Sequence, residues 1–128
     1  MSETWLLDVG NCDPDHGMLR RMLTEHFDVQ IDRVMFVDEA LAKMRGRSYA
    51  LVLFNRLVFA DGSEGIELLH RAKADTALKP TPIVMISNYA DAQQASMEAG
   101  GVSGFGKADV GSAKALDALK AYLPAKTR

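Results

Sequence analysis

The sequence predicts an α/β fold in which five parallel strands form a doubly wound sheet of order 2-1-3-4-5, with helices on both faces. Two observations predict it. Short apolar runs alternate with amphipathic stretches, roughly one unit every 25 residues, which is typical of βαβ units. Helix start and stop residues lie between the runs, and the right-handed crossover rule then favours this strand order.

Five apolar runs are the predicted strands. They cover residues 4–10, 29–34, 50–54, 83–86 and, more weakly, 102–106. The third run, Leu51-Val52-Leu53-Phe54, is apolar throughout rather than alternating, which indicates a strand buried on both faces.

The first two helices have recognisable ends. Asp13 and Pro14 supply an N-cap and a first-turn proline for a helix that runs to about His26. Asp38 is the predicted cap of the second helix, and Gly46 is its predicted stop. The inward stripe of the first helix consists of Met18, Leu19, Met22 and Leu23.

The last three helices also have recognisable start and stop residues. The third begins after Gly62, the fourth covers about 90–98 before Gly100, and the fifth begins at Ser112 and stops before Pro124. The fourth helix has few large apolar residues and so buries little area. It is either a mobile element or a small-residue helix that packs closely.

The bulk composition bounds the class of protein. A chain of 128 residues suits one domain, predicted at 1–124, with a polar tail at 125–128. The net charge of −2 indicates neither nucleic acid nor membrane as a partner. Cys12 is the single cysteine, and the N-terminus lacks the features of a signal peptide, so we expect a cytoplasmic protein.

Polar residues follow four of the predicted strands. The loops after strands one, three, four and five begin near residues 10–13, 55–56, 87–88 and 107–108. Because strand order reverses between strands one and three, these loops are expected to converge at the carboxyl edge of the sheet, where sites in such folds lie.

Five segments carry a resemblance to a known family. They are Cys12-Asp13-Pro14-Asp15, residues 49–55, Asp61-Gly62 or the later residues 65–69, residues 82–87, and Ala99-Gly100 followed by Lys107. In this order and at this spacing, they resemble the receiver domain of two-component response regulators over essentially the whole chain. The resemblance implies a flavodoxin-like three-layer fold and a signalling function.

The resemblance also implies three carboxylates, two that hold magnesium after strand one and one that accepts a phosphoryl group after strand three. Matched on Pro14, the acidic pair falls at Asn11 and Cys12, and the acceptor falls at Asn55. An amide cannot act as the nucleophile, and a neutral thiol is a poor magnesium ligand. Asp13 lies nearby but is better explained as the helix cap, so we expect no magnesium or other cofactor.

Two residues of the implied site are retained. Ser87 corresponds to the family's hydroxyl residue after strand four, and Lys107 to its lysine after strand five. Without the carboxylates Lys107 needs another acceptor, such as the side-chain oxygen of Asn55, a backbone carbonyl or water. We expect a structural hydrogen bond with Asn55, the alternative being a lysine turned to solvent. The family's aromatic switch position falls at Gly104, or at Phe105 after a shift of one residue.

These departures favour a degenerate receiver that is not an enzyme and that works by binding protein without aspartyl phosphorylation. By resemblance, its partner is a kinase, an output domain or another signalling protein, and the contact face consists of the fourth helix, fifth strand and fifth helix. A homodimer through the same face is an alternative use. The expected contact residues are Gln93, Gln94, Phe105, Lys114, Asp117 and Lys120.

Three other functions remain open. A conventional phosphorelay receiver would need another acceptor, such as Asp61. A thiol switch at Cys12 would need a thiol pKa lowered by Lys107. An enzyme that binds flavin mononucleotide is least favoured, because the loop at 10–12 lacks a hydroxyl-rich phosphate cradle.

Other polar residues have structural interpretations. His16, His26 and His70 fall on predicted helices and are expected at surface or boundary positions. Asp8 lies inside the first strand and must point to one face of the sheet, and Arg56 is either a surface residue or reaches into the cleft.

Overall fold

A parallel five-stranded sheet forms the centre of the molecule. The structure is a computed structural model that describes residues 3–127. Within these residues the strands are β1 (Trp5–Val9), β2 (Gln30–Val34), β3 (Leu51–Asn55), β4 (Ile83–Ile86) and β5 (Val102–Phe105). Their order is β2-β1-β3-β4-β5, so the predicted fold class and strand order are confirmed.

Helices cover both faces of this sheet. They are α1 (Asp13–His26), α2 (Val37–Gly46), α3 (Ile66–Lys73), α4 (Ala90–Glu98) and α5 (Ala113–Lys120), with a short 3-10 helix at Lys107–Asp109 before α5. Within residues 3–127, no helix has both the length and the apolar character needed to cross a membrane.

The helix ends differ in part from the prediction. Cys12 is the N-cap of α1 and Asp13 is its first residue, so the prediction that Asp13 caps the helix is wrong by one position. Phe36 is the N-cap of α2, so the prediction that Asp38 caps this helix is wrong by two positions. The Glu39 carboxylate accepts the backbone N–H of Phe36 at 2.9 Å. The predicted cap Ser112 is confirmed.

Two apolar layers pack against the sheet, one on each face. Since successive strand residues point to opposite faces, Leu7 and Val9 contact the layer under α2 and α3, whereas Leu6 contacts the layer under α1 and α5. Asp8 lies on the same face as Leu6 and is 1% exposed. A carboxylate at this depth requires hydrogen-bonding partners, because burial of an unpaired charge is expensive.

Helix α4 is attached to the sheet by hydrogen bonds of Gln93 and by packing of Ala92 against the apolar layer. Ser96 is its buried residue, and the Gln93 side chain donates to the backbone oxygens of Met85 at 2.9 Å and Ser87 at 3.1 Å. A Cβ on Gly101 would lie 2.6 Å from the Ser96 Oγ, so the chain after α4 approaches the helix very closely. This approach is the one expected of a small-residue helix that packs closely.

The segment after α5 folds back onto the end of α1. Ala125 forms an antiparallel bridge with Phe27, and the backbone N–H of Lys126 donates to the His26 oxygen at 3.0 Å. The Asp28 carboxylate accepts from Thr127. The predicted polar tail is therefore attached to the domain over residues 125–127.

An aromatic and a basic side chain stack at the start of the sheet. The Arg47 guanidinium lies 3.6 Å from the ring centre of Trp5, the first residue of β1. The same arginine is paired with Asp32 at 3.3 Å, so this contact joins β1, β2 and the end of α2.

Candidate functional site

A cleft of about 280 Å³ opens at the carboxyl edge of the sheet, where the loops after β3, β4 and β5 meet. Asn55, Ser87 and Lys107 all line it, so the structure brings these three predicted residues together. The remaining lining residues are Arg56, Leu57, Ile86, Asn88 and Tyr89. Asn11 and Cys12 do not line this cleft.

The Asn55 side chain forms hydrogen bonds with backbone oxygens rather than with another side chain. Its Nδ2 donates to the oxygen of Leu57 at 2.6 Å and lies 3.5 Å from the oxygen of Gly10. These bonds fasten the loop after β3 to the loop after β1. The expected bond between Asn55 and Lys107 does not form, and that prediction is wrong because each group has another partner.

Lys107 is paired with a carboxylate from α1. Its Nζ lies 2.5 Å from Oδ2 of Asp15, in the first turn of the helix. Burial raises the pKa of the Asp15 carboxyl, but hydrogen bonds from Lys107 and Cys12 and the charge of Lys107 together hold that pKa below its ordinary value. The acceptor that Lys107 needs therefore comes from a helix rather than from a strand end.

Substitution of Asp15 tests this pair through its pH dependence. Because the pKa of Asp15 is lowered in the folded state, its ionised form stabilises the fold above its unfolded pKa of about 3.9, and that contribution is lost as the pH falls through the folded value. Asp15→Asn is expected to be about 1 kcal/mol less stable than wild type at pH 7, and this difference should shrink as the pH falls below the unfolded pKa and through the lowered folded pKa. Urea unfolding at pH 7 and at pH 3 measures how far the difference shrinks.

The exposed pair of Asp117 and Lys120 provides the control for this measurement. Its atoms lie 3.2 Å apart with both side chains largely in solvent, so Asp117→Asn should change stability little at either pH. A destabilisation by Asp15→Asn that is the same at pH 3 and pH 7 would show that the ion pair with Lys107 is not its cause.

A second polar cluster lies under the loop after β1. Asn11 Nδ2 donates to Oδ1 of Asp8 at 2.6 Å, and His16 Nδ1 lies 2.5 Å from Oδ2 of the same carboxylate. His16 is 16% exposed, so its expected surface or boundary position is better described as a largely buried partner of Asp8. The signal in the sequence was Asp8 itself, a carboxylate inside an apolar strand.

Asn11, Cys12 and Asp13 point in different directions. Asn11 is buried against Asp8, the Cys12 thiol contacts Asp15, and Asp13 is an exposed partner of Arg33 at 2.8 Å. Among residues 3–127 no group of three or more His, Cys, Asp or Glu side chains is arranged to hold a metal ion.

The loops after β4 and β5 are tied to each other beside Ser87. Asn88 Oδ1 accepts the backbone N–H of Ala108 at 3.1 Å, and Ser87 Oγ accepts that of Tyr89 at 3.2 Å. Gly106 makes this approach feasible, since a Cβ there would lie 2.0 Å from Asn88 Oδ1. These bonds fix the wall of the cleft on which Ser87 lies.

Arg56 forms another wall of the cleft. Its guanidinium lies 4.9 Å from the ring centre of Tyr89, and both side chains line the cleft. Of the two interpretations of Arg56, a surface residue or one that reaches the cleft, the second fits this position. The contact joins the loop after β3 to the start of α4.

The face formed by α4, β5 and α5 differs from the prediction at two residues. Phe105 is 1% exposed and packs in the layer under α1 and α5, so it is not available for contact. Gln93 is used in bonds to backbone oxygens. The other four expected contact residues are exposed: Gln94, Lys114, Asp117 and Lys120.

The buried position of Phe105 follows from an irregularity in the pairing of β4 with β5. Val84 pairs with Val102 but Ile86 pairs with Phe105, so β5 contains one more residue than β4 over this stretch. Gly104 lies within the irregularity, and a Cβ there would lie 2.2 Å from the Met85 oxygen. The position that corresponds to the family's aromatic switch is thus occupied by Gly104. Only a residue without a side chain fits there.

Solved structures of response regulators share this fold. A response regulator from Chloroflexus aurantiacus J-10-fl matches with a TM-score of 0.71 and 23% identity, over 82% of this chain and 84% of that one. The chemotaxis response regulator CheY4 of Vibrio cholerae matches with a TM-score of 0.68 and 17% identity, over 82% and 85%. The receiver domain of NtrX from Brucella abortus matches with a TM-score of 0.64 and 22% identity, over 79% and 82%.

The chain therefore has the fold of response regulator receiver domains, as the sequence resemblance implied. At these identities the match concerns the fold. No family model matches the sequence, and no curated protein matches it.

Proposed function

We propose that this protein is a receiver-like signalling domain that acts by binding another protein, without aspartyl phosphorylation and without catalysis of its own. The observation that carries the proposal is the use of Asn55. Its amide nitrogen donates to the oxygen of Leu57 and faces that of Gly10, at the position where the family presents a nucleophilic carboxylate. A carboxylate cannot donate these bonds, so the residue suits a structural role.

The neighbouring residues also do not fit a magnesium ion. Magnesium is held mainly by hard oxygen ligands, typically carboxylates and waters. The Asn11 side chain is bonded to Asp8, Cys12 presents a thiol, and Asp15 is bonded to Lys107. The charges of Lys107 and Asp15 balance each other. The site therefore needs neither a metal ion to balance Asp15 nor a phosphoryl group to balance Lys107.

The partner is expected to be a cytoplasmic signalling protein, such as a kinase or an output domain, or a second copy of this chain, rather than nucleic acid or a membrane. The face of α4, β5 and α5 remains the proposed contact surface by family resemblance. Phe105 and Gln93 are removed from its expected contacts, which leaves the exposed residues Gln94, Lys114, Asp117 and Lys120.

Two other functions have less support. Asp61 Oδ1 accepts from the N–H and hydroxyl of Ser63 at 2.9 and 2.7 Å, which is a turn rather than an acceptor site. The Cys12 thiol donates a hydrogen bond to the Asp15 carboxylate, which is a structural use of this side chain.

Phosphorylation assays test the proposal. Wild type incubated with magnesium and acetyl phosphate is expected to carry no acid-labile, hydroxylamine-sensitive phosphate. Asn55→Asp is also expected to remain unlabelled, because the acidic pair is still missing, and to lose about 1–3 kcal/mol of stability as its carboxylate faces two backbone oxygens. Intact-mass measurement and urea unfolding follow the two effects.

A phosphorylatable receiver serves as the positive control for the phosphodonor, and Asn55→Ala controls for loss of the amide. Hydroxylamine-sensitive phosphate on wild type would overturn the proposal. Labelling of Asn55→Asp alone would show that the loss of charge at Asn11 and Cys12 matters less than argued.

A further inference from the structure

A groove that adjoins the cleft, and shares Arg56 and Tyr89 with it, lies between the start of α3 and α4. Its volume is about 410 Å³, within the roughly 300–1,000 Å³ of sites that enclose a compact ligand group. Its floor consists of Ile66, Met85, Ala92 and Ala95. The alanines of α4 leave this space open, since longer side chains at those positions would fill it.

The rim of the groove is acidic. Glu64 and Asp91 both line it and are both exposed. Neither carboxylate has a cation within 4.0 Å among residues 3–127, and Asp91 accepts only from the adjacent backbone N–H of Ala92 in that part of the chain. Two unpaired carboxylates beside an apolar floor attract a cation attached to an apolar group.

The end wall of the groove directs where that cation can bind. Arg56 and Tyr89 form this wall, and the guanidinium of Arg56 already occupies the ring face of Tyr89. An incoming lysine or arginine is therefore repelled from this end by Arg56 and attracted to the Glu64 and Asp91 carboxylates.

From the apolar floor and the acidic rim, we propose that the groove between α3 and α4 binds a protein segment that carries an aliphatic side chain next to a lysine or arginine. The aliphatic side chain fills the space over Met85 and Ala95, and the basic group pairs with the rim. This surface is distinct from the face of α4, β5 and α5, and it does not depend on whether Asn55 can be phosphorylated.

Selection from a library of random peptides, displayed on phage, tests the proposal. The enriched peptides are expected to share an aliphatic residue next to a lysine or arginine. Ala95→Leu, which fills the groove with a helix-favouring residue, should weaken the best peptide by about tenfold or more. The double variant Glu64→Gln/Asp91→Asn should also weaken binding and remove most of its dependence on salt.

Arg21→Ala provides the control, because this residue is exposed on α1, which packs on the opposite face of the sheet from α3, and it should leave the affinity unchanged. Circular dichroism confirms that each variant is folded. A selection without a consensus, a consensus that lacks the basic residue, or equal binding by Ala95→Leu would each overturn the proposal. Failure of the phosphorylation test would leave these results unaffected, so the two proposals fail separately.

Discussion

Replacement of Gly65 by alanine is expected to destabilise the fold by about 3 kcal/mol, the largest effect of a single methyl group at a described glycine. A Cβ at this position would lie 2.0 Å from the Asn55 oxygen and 2.9 Å from Cδ2 of Phe54. The Asn55 oxygen belongs to the end of β3 and cannot move without displacing that strand. Gly65 has φ −63° and ψ −28°, which alanine adopts readily, so the cost is steric rather than conformational.

Gly17→Ala is the matched control. Gly17 lies within α1, and a Cβ there would meet nothing within 4 Å. Alanine is favoured over glycine in a helix by about 0.5–1 kcal/mol, so this variant should be more stable than wild type. Urea unfolding followed by circular dichroism measures both variants. Equal midpoints for Gly65→Ala and wild type would mean that α3 can shift away from β3 at no cost.

Replacement of Asp8 by alanine is expected to cost about 2–4 kcal/mol. The carboxylate is buried and binds both Asn11 at 2.6 Å and His16 at 2.5 Å. Its removal leaves the buried Asn11 amide without an acceptor, although the Oδ1 of that amide already has no partner among residues 3–127. It also separates His16 in α1 from β1, and opens a small cavity between them.

Asp8→Asn separates the hydrogen bonds from the packing. An asparagine at position 8 retains the shape, accepts from Asn11 and keeps a polar group beside His16, so its loss of stability should be clearly smaller than that of Asp8→Ala. Urea unfolding at pH 7 measures both variants, with exposed Asp117→Ala as the reference for a surface carboxylate. Equal stability of Asp8→Ala and wild type would contradict a structural role for the cluster.

Most of the fold follows from local sequence. β3 and β4 contain continuous apolar runs, whereas the other three strands include polar or glycine residues. Each observed strand end lies within one residue of its expected position. The bounds of α4 were also predicted correctly, because Gly100 with φ +101° adopts a conformation that L side chains rarely take. Caps were less predictable, since Asp13 and Asp38 are both suitable cap residues that lie one and two positions inside their helices.

The residues that line the cleft were predictable because they follow strands, but their partners were not. A strand end fixes the position of Lys107, whereas the contact with Asp15 depends on how α1 packs against the sheet. The same packing pairs His16 with Asp8. In sequence, Asp15 was one of several acidic residues near the end of β1, and nothing local distinguished it from Asp13.

Phe105 shows a different limit. The sequence placed Gly104 at the family's switch position, or Phe105 after a shift of one residue, and the pairing of β4 with β5 is irregular at this point. The irregularity also determines which face the side chain occupies, and it turns Phe105 into the core. A one-residue change in strand pairing is decided by contacts across the sheet, which local patterns do not contain.

The stack of Arg47 on Trp5 has a practical consequence for spectroscopy. Trp5 is the single tryptophan of the chain and lies at the amino end of β1, whereas the cleft lies at the carboxyl end of the strands, about 15 Å away at the usual rise of a strand. Its fluorescence emission should therefore follow unfolding of the amino-terminal ends of the strands. It should stay nearly constant when a ligand or partner binds at the cleft or the groove. A fluorophore that reports binding has to be introduced on α4 or α5.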